Sequence, residues 1–173
     1  MLIRAETASD EAAVDRLLQL AFETPAEARL VKALRLNRAL TVALVGERNG
    51  SLVGAIHVSP MTLSPAHPGV RCYALAPLAV APSSQRQGLG SLLVRAAIRE
   101  LIALRADALL VLGEPRWYQR FGFEPAASYQ LACRYPVPPE YFMVLPLRAA
   151  RLPTEPTLAN YHPAFRVLDE ANI

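Results

Sequence analysis

The chain has 173 residues, of which 53% are hydrophobic, so it carries enough apolar surface to bury the core of a folded domain. Its formal net charge of +3 is too small to predict a nucleic-acid partner, and the arginines are scattered along the chain rather than clustered. No apolar run approaches the ~20 residues of a membrane span, and the acidic stretch after Met1–Arg4 is unlike a secretory signal.

The N-terminal part of the sequence predicts one strand followed by two helices. Residues 2–5 fit a short strand, and Ser9 is placed to cap a first helix that has Asp10 and Glu11 in its first turn. Apolar residues then recur at helical spacing. The segment Thr24-Pro25-Ala26-Glu27 has the pattern of a capping box with proline at the first helical position, which predicts the start of a second helix.

A β-hairpin and a further strand are predicted next. Residues 40–47 are rich in β-forming side chains and end before Asn49-Gly50, a pair typical of tight hairpin turns. The partner strand runs through residues 52–58. A turn rich in proline and glycine then leads to an apolar strand at residues 71–81.

The second half of the chain predicts one long helix, three strands and a tail. A helix over residues 88–105 has an apolar stripe wide enough for heavy burial. Residues 108–112 are wholly apolar, as expected of a central strand that is covered on both faces. Residues 128–134 and 141–148 predict a closing pair of strands, and the tail from Leu152 is rich in proline. The sequence shows no internal repeat and no domain boundary.

The most informative segment is the junction between a strand and a helix in residues 78–93. The apolar run stops at Pro82, a polar loop follows, and Gly88 and Gly90 open the long helix. Glycine has no Cβ, so backbone can approach a ligand closely there. The unpaired N–H groups and the dipole of a helix N-terminus attract an anion. The segment therefore predicts a site that holds a phosphate or pyrophosphate on backbone amides.

Two well-known phosphate loops are excluded by the residues present. A P-loop needs Lys and then Ser or Thr after its second glycine, but Ser91 and Leu92 follow Gly90. A dinucleotide fingerprint needs a third glycine or alanine and an acid near the end of the next strand. Leu93 occupies the third position, and Asp107 comes before the next apolar run rather than after it.

The remaining pattern, Gln85, Gly88 and Gly90 after a strand, resembles the coenzyme A pyrophosphate loop of the GNAT N-acetyltransferase superfamily. Residues 109–123 resemble the next strand of that family and its short helix ending in Tyr-x-x-x-Gly-Phe. The resemblance covers most of the chain and is strongest over residues 72–124. Three further runs are similar to one bacterial subfamily of predicted acetyltransferases: 75–80, 113–115 and 142–145.

The resemblance implies an α/β (α+β) fold, with a mixed, mostly antiparallel sheet of six to seven strands and flanking helices. It further implies a single domain over residues 1–173, whose tail, 150–173, docks on the sheet or stays partly loose. Cys72 and Cys133 lack metal-ligand spacing, so we expect free thiols of a cytoplasmic protein.

The implied activity is the direct transfer of the acetyl group of acetyl-CoA, the cosubstrate, to a primary amine, without a metal ion. The acceptor would be a small molecule, a peptide N-terminus or a protein lysine, and the sequence does not distinguish these. Neither nucleic acid nor a membrane is expected as a partner. A homodimer through the late strands is a family-level expectation.

Cofactor binding is implied mainly for backbone groups. In the family the strand bulges and splays before the loop, and Pro77 is consistent with that splay or with an ordinary irregularity. A backbone N–H near Val80 would stabilise the thioester oxyanion, and Gln85 would mainly hold the loop in place. The residues assigned to the cofactor site are Leu78, Ala79, Val80, Gln85, Arg86, Gln87, Gly88, Leu89, Gly90 and Ser91.

Tyr118, four residues before Gly122, matches the family tyrosine that acts as general acid. Attack on the thioester expels a thiolate, and a phenol of pKa about 10 can protonate that thiolate, whose thiol has a pKa of about 8.5–9, when it is positioned to do so. The alternative is a tyrosine that packs its ring and hydrogen-bonds the cofactor sulfur without giving up a proton.

The general base is left open by the sequence. Many family members carry a glutamate on the strand before the loop, but residues 73–76 contain no carboxylate. Glu114 is the candidate base that we assign, and His57 or a chain of waters would also serve. Glu114 could instead begin a helix, and His57 could be an ordinary strand residue. The asparagine often found after the later strand is replaced by residues 113–115.

Two functions of other classes compete with catalysis. A non-catalytic acyl-CoA-binding or regulatory domain is favoured by the missing glutamate and opposed by the presence of Tyr118. A structural or interaction module would leave Gln85, Gly88 and Gly90 with a packing role only. An acyltransferase is the function that uses all of these residues.

Overall fold

In the computed structural model, which describes residues 1–169, the strands and helices belong to two units of the chain. The first unit contains Met1–Ser59, Ala76–Glu100 and the described residues from Pro163 onward. The second contains Pro60–Leu75 and Leu101–His162. The predicted single domain over residues 1–173 remains a prediction, and residues 170–173 of its tail lie outside the described residues.

The strands are β1 (Leu2–Ala5), β2 (Val42–Arg48), β3 (Ser51–Ser64), β4 (Cys72–Val80), β5 (Ala108–Leu112), β6 (Glu124–Pro125), β7 (Leu131–Ala132), β8 (Phe142–Pro146) and β9 (Thr157–Asn160). The helices are α1 (Glu11–Ala21), α2 (Ala26–Leu36), α3 (Leu89–Ala103), α4 (Pro115–Tyr118) and α5 (Arg166–Asp169). The pairings within the units are antiparallel except for β4 with β5 and β7 with β9. The mixed, mostly antiparallel class is therefore as predicted. The strand count exceeds the expected six to seven because β6 and β7 have only two residues each.

The first unit is built on the antiparallel strands β1, β2 and β3. The predicted hairpin joins β2 to β3, and Asn49 and Gly50 have φ values of 51° and 77°, as a type I′ turn requires. On one face, apolar residues of α1 and α2 form a core with the strands: Val14, Leu17, Leu18, Ala28, Val31, Val45, Ala55 and Ala79.

The other face of these strands holds the start of α3. A Cβ at Gly46 would lie 2.8 Å from Leu89 Cδ1, and one at Gly54 would lie 2.9 Å from Leu89 Cδ2. The two glycines face each other across β2 and β3, so they make the space that Leu89 fills. Because Leu89 is the first residue of α3, this contact fixes where the N-terminus of the helix lies in the first unit.

The starts of α1 and α2 differ in detail from the prediction. Ser9 does not cap α1. A short 3₁₀ turn of residues 8–10 precedes the helix. The Asp10 carboxylate accepts hydrogen bonds from the Thr7 N–H and from the Arg4 side chain. The start of α2 is where it was predicted, with Thr24 Oγ1 accepting from the Ala26 N–H at 3.3 Å. The glutamate half of the box is not formed, since Glu27 Oε2 is buried without a hydrogen-bond partner among the described residues.

The second unit places β5 between β4 and β8. Parallel pairing joins Cys72–Ala74 to Ala108–Leu110, and antiparallel pairing joins all of β5 to β8. Residues 108–112 are thus the central strand that their composition predicted. Pro77 lies beyond the three residue pairs of the β4–β5 ladder, so β4 continues past Ala74 outside that pairing.

The predicted pairing of residues 128–134 with 141–148 is wrong. Strand β8 pairs with β5 and β6, whereas residues 126–129 form a 3₁₀ turn and β7 pairs with β9. Proline residues at 136, 138 and 139 interrupt the connection between the two segments and favour a long loop over a hairpin. The partner of β7 comes from the tail, which was not predicted to contain a strand.

Asp107 ties the second unit together at the start of β5. It is fully buried, and its Oδ2 accepts from the Arg71 N–H at 2.7 Å. Its Oδ1 lies 3.5 Å from Arg148 Nη1 and 3.6 Å from Arg151 Nε. The carboxylate therefore accepts from a backbone donor in one segment and lies near two cations in a second, Arg148 and Arg151.

Asp107→Ala is expected to lower the free energy of unfolding by about 1.5–3 kcal/mol, because it leaves the Arg71 N–H without its acceptor and two arginines without their ion-pair partner. Urea denaturation measures this as a lower midpoint at an unchanged slope. Asp107→Asn, which keeps an acceptor but not the charge, should lose less. A change below about 0.5 kcal/mol for the alanine variant would contradict the role.

The described part of the tail contributes residues to both units. Strand β9 pairs with residues 62–64 of β3 and with β7 in the second unit. In the first unit Phe165 is buried next to α2. Among residues 1–169, no helix is both long and apolar enough to cross a lipid bilayer.

Candidate functional site

The loop between β4 and α3 is held in an unusual backbone conformation by its own side chains. Arg86 and Gly88 have φ values of 58° and 84°, in the left-handed region. Gln85 Nε2 donates to Val80 O at 3.1 Å, and Gln87 Nε2 donates to Ser83 O at 3.1 Å. Arg48 in turn donates to Gln87 Oε1 at 2.6 Å. Both glutamine side chains therefore stabilise the loop by hydrogen bonds to its own backbone, as predicted for Gln85.

The backbone N–H groups of this loop are available to a ligand. The first one with a helical acceptor is that of Leu92, which donates to Gly88 O at 3.1 Å. Within the described chain, the N–H groups of residues 86–91 donate to no protein acceptor. Residues 85–88 are exposed, and Gly90 and Ser91 are half-buried. The loop thus presents a row of unsatisfied donors to solvent.

The charge around these donors suits an anion. The first turn of α3 contains no acidic residue, and the dipole of this 15-residue helix adds partial positive charge at the same end. Arg86 is exposed on the loop. Leu89, in contrast, is 1% exposed and packs against β2 and β3, so only its backbone can serve a ligand. An oxyanion such as a phosphate is the ligand that this arrangement fits.

The end of β4 has one buried face and one partly open face. Ala79 is 1% exposed and belongs to the core beneath α1 and α2, whereas Leu78 and Val80 are half-buried. The Ala81 N–H donates to Val53 O at 2.9 Å, which holds the strand end against β3. These three residues were assigned to the cofactor site through their backbone, and the side chain of Ala79 is a core residue.

Tyr118, in the second unit, lies in a cluster of aromatic rings. Its ring makes edge contacts with Trp117 at 4.7 Å and with Phe123 at 5.4 Å between centroids. The residue is 8% exposed, and burial raises the pKa of its phenol to about 12. Tyr118 therefore stays protonated at any pH at which the protein would be assayed.

Gly113 provides the space for the Tyr118 ring. A Cβ built on Gly113 would collide with Tyr118 Cε2 and would lie 2.7 Å from Cδ2. The Gly113 N–H donates to Tyr141 O at 3.0 Å, which fixes the backbone at this point. The first of the three residues that replace the family asparagine is thus in contact with the candidate general acid.

Glu114 caps the short helix α4. Its Oε1 accepts from the Arg116 N–H at 3.4 Å, and the residue is exposed. The capping contact gives the side chain a structural role at the start of the helix that carries Tyr118. Its assignment as a base is still a prediction.

A buried cluster in the first unit contains two residues that sequence reasoning missed. His57 Nε2 lies 2.7 Å from Glu6 Oε2, and Arg35 Nε donates to Glu6 Oε1 at 2.9 Å. Burial disfavours the charged carboxylate, but hydrogen bonds from His57 and Arg35 outweigh it and lower the pKa of Glu6. No local signal could reveal this cluster, because its members lie far apart in sequence.

The cysteines are poor nucleophiles. Cys72 is buried, and burial, with the nearby Asp107 charge, raises the pKa of its thiol to about 12. Burial also raises the pKa of the half-buried Cys133. Since the thiolate is the reactive form, these environments oppose a covalent cysteine intermediate. The described residues contain no group of three or more side chains arranged to hold a metal ion.

Comparisons with known proteins identify relatives over nearly the whole chain. A family model described as "Acetyltransferase (GNAT) family" matches residues 11–123. A protein of Escherichia coli strain K12, named "Uncharacterized N-acetyltransferase YhbS", is 37% identical over 166 residues, which are 95% of this chain and 98% of that protein. A second protein of this strain, named "Uncharacterized N-acetyltransferase YjhQ", is 32% identical over 136 residues, covering 77% and 75%.

Two solved structures share the fold. The crystal structure of YhbS from Escherichia coli in complex with CoA has a TM-score of 0.89 at 36% identity, covering 95% of this chain and 91% of that one. A GNAT family acetyltransferase from Brucella melitensis in complex with acetyl-CoA has a TM-score of 0.77 at 31% identity, covering 95% and 97%. Both relatives thus bind CoA or its acetyl ester, the ligand that the sequence resemblance implied.

Proposed function

Since this chain belongs to the GNAT family of acetyltransferases, we propose that it transfers the acetyl group of acetyl-CoA directly to a primary amine. The family, the fold class and the general class of enzyme, an acyltransferase, are as the sequence predicted. The observation that carries the proposal is the set of unsatisfied N–H groups of residues 86–91 at the N-terminus of α3. A pyrophosphate supplies the oxyanions that such donors bind.

In the proposed complex, the loop backbone holds the pyrophosphate of acetyl-CoA, and Arg86 and the Ser91 hydroxyl add contacts to it. The pantetheine arm pairs with backbone around Leu78 and Val80. A backbone N–H near Val80 donates to the thioester oxygen and stabilises the oxyanion that forms during attack. This arrangement needs backbone donors rather than particular side chains, which agrees with the apolar sequence of β4.

The proposed chemistry is a direct displacement. The amine nitrogen forms a bond to the thioester carbon, the carbon–sulfur bond breaks with its electron pair leaving on the CoA sulfur, and the nitrogen gives up one proton to solvent. Tyr118 then gives its phenolic proton to that thiolate and later recovers one from solvent. The raised thiol pKa values of Cys72 and Cys133 support direct transfer over an acyl-cysteine intermediate.

Calorimetric titration with acetyl-CoA tests the loop on the whole protein. We expect Gly88→Ala to weaken binding about tenfold, because an alanine at φ of 84° costs roughly 1–2 kcal/mol and the loop would leave the binding conformation. Gly50→Ala is the matched control: it has a φ of 77°, and at both glycines a Cβ would have no neighbour within 4 Å. It should lose comparable stability and bind normally.

The outcomes of this titration separate the candidate functions. If acetyl-CoA does not bind to folded wild-type protein, the proposed function is wrong. If Gly88→Ala and Gly50→Ala bind acetyl-CoA equally well, the loop has only a packing role. A non-catalytic acyl-CoA-binding domain is the second candidate, favoured by the lack of a carboxylate in residues 73–76. Binding of acetyl-CoA without turnover of any amine would select that candidate.

A further inference from the structure

His57 has one ring nitrogen in use and one unused. The residue lies on β3 and is 0% exposed. Its Nε2 lies 2.7 Å from Glu6 Oε2, while its Nδ1 is buried with no hydrogen-bond partner in the described residues. Ser59, on the same side of the strand, also has a buried and unpartnered Oγ. Burying a polar atom without a hydrogen-bond partner is unfavourable, so a pair of them points to a ligand or a catalytic role.

The Glu6 carboxylate determines which nitrogen carries the proton. Arg35 and His57 lower the pKa of Glu6, so the carboxylate is charged and accepts a hydrogen bond from Nε2–H. In neutral histidine the other nitrogen then holds a free electron pair. Nδ1 is therefore the ring nitrogen that can accept a proton from a substrate.

The position of His57 in the first unit brings it near the proposed acyl site. Strands β3 and β4 are neighbours, and the Ala81 N–H donates to Val53 O at 2.9 Å. Ala55 on β3 and Ala79 on β4 share the core cluster. The strand that carries His57 therefore runs beside residues 78–80, whose backbone is proposed to bind the thioester arm.

Among residues 1–169, the charged group that directly contacts His57 is Glu6. The cross-strand partner on β2 is Ala43, and residues 76–80 of β4 have no titratable side chain. Helix α2 contributes Arg35, which reaches His57 through Glu6. It also carries Glu27, whose Oε2 is buried without a partner among the described residues. The immediate charge on the ring is thus that of Glu6.

We infer that His57 is the general base of the reaction and that Glu6, anchored by Arg35, positions it. Nδ1 takes a proton from the ammonium form of the acceptor, directly or through a water bound with Ser59 Oγ, and releases a neutral amine for attack on the thioester. The proton later leaves to solvent, so His57 returns to its starting form. This assignment rests on the proposed function and replaces the carboxylate that β4 lacks.

His57→Gln is the informative variant, because a glutamine Nε2 can still donate to Glu6 but the side chain cannot take up a proton. Turnover is followed as CoA thiol release with three probe amines, Nα-acetyl-lysine amide, alanine amide and spermidine, across a range of pH. We expect about a 100-fold loss of kcat/KM at neutral pH for the best probe, with acetyl-CoA affinity within about twofold of wild type. The loss should shrink as the pH rises, because a larger fraction of the amine is then already neutral and needs no base.

Three companion variants distinguish a base from a structural residue. Glu6→Gln keeps the shape of the pair without its charge and should give a smaller loss, and it tests the inference even if His57→Gln fails to fold. Ser59→Ala tests the bridging water. Glu114→Gln is measured in parallel, and loss of the acidic limb in that variant, with the limb retained in His57→Gln, would overturn the assignment.

The remaining outcomes are also decisive. A His57→Gln enzyme with the wild-type pH profile, or with an equal loss at every pH, overturns the inference and leaves the proposed function standing. Wild-type protein that binds acetyl-CoA but acetylates no probe amine overturns the proposed function, and the inference with it. Thermal unfolding of each variant shows whether a loss of rate follows a loss of structure.

Discussion

Tyr118→Phe is expected to lower kcat by about 10²–10⁴-fold while acetyl-CoA affinity stays unchanged. The substitution removes only the hydroxyl, and the ring keeps its edge contacts with Trp117 and Phe123. The thiolate then leaves without a proton donor. Steady-state turnover and calorimetric titration on the same preparation measure the two quantities separately.

The pH dependence of wild-type turnover provides a second test of Tyr118. Burial raises its pKa to about 12, so the phenol remains the protonated, donating form at all pH values below that. The kcat profile should therefore show no alkaline decline due to Tyr118 up to about pH 11. Tyr129→Phe, at a half-buried tyrosine outside the proposed site, is the control. Turnover unchanged in Tyr118→Phe would remove this residue from the mechanism.

Gly113→Ala is expected to reduce both stability and turnover. The new methyl group would collide with the Tyr118 ring, and the ring cannot yield easily because Trp117 and Phe123 pack against it. Overpacking of this kind costs about 1–3 kcal/mol in unfolding free energy. A displacement of about 1 Å at a catalytic group can cost about 10²-fold in rate. Urea denaturation and steady-state kinetics measure the two losses.

A double-mutant cycle shows whether Gly113 acts through the phenol. If the alanine harms catalysis by moving the Tyr118 hydroxyl, Gly113→Ala should slow the Tyr118→Phe enzyme by much less than it slows wild type. Full additivity of the two losses, or a Gly113→Ala enzyme with wild-type kcat, would contradict the positioning role. The stability loss should persist in both backgrounds, since the phenylalanine ring occupies the same space.

Local features of the fold were predictable from the sequence because they depend on residues close together in the chain. The Asn49-Gly50 hairpin, the apolar strand at 108–112 and the start of α2 follow from turn chemistry, composition and capping pattern. The same holds for the loop of residues 85–91, where the positive φ of Gly88 and the free N–H groups arise within one short segment.

The wrong predictions concerned which distant segments of the chain pair with each other. Residues 131–132 find their partner in the tail strand β9, and residues 142–146 pair with β5 and β6. Period and propensity can indicate that a segment is extended, but they do not state which other segment supplies its hydrogen bonds. The cap assigned to Ser9 failed for a related reason, since Arg4 and Thr7 both hold the Asp10 carboxylate.

The sequence by itself determined the loop that we propose binds an anion and the spacing of Tyr118 from Gly122, because both are set within a few consecutive residues. Only the tertiary structure decided that Gly113 makes room for the Tyr118 ring and that Glu6 and Arg35 meet His57. The physical reason is that backbone conformation is a local property, whereas burial, and with it the lowered pKa of Glu6, depends on which distant side chains the fold brings together.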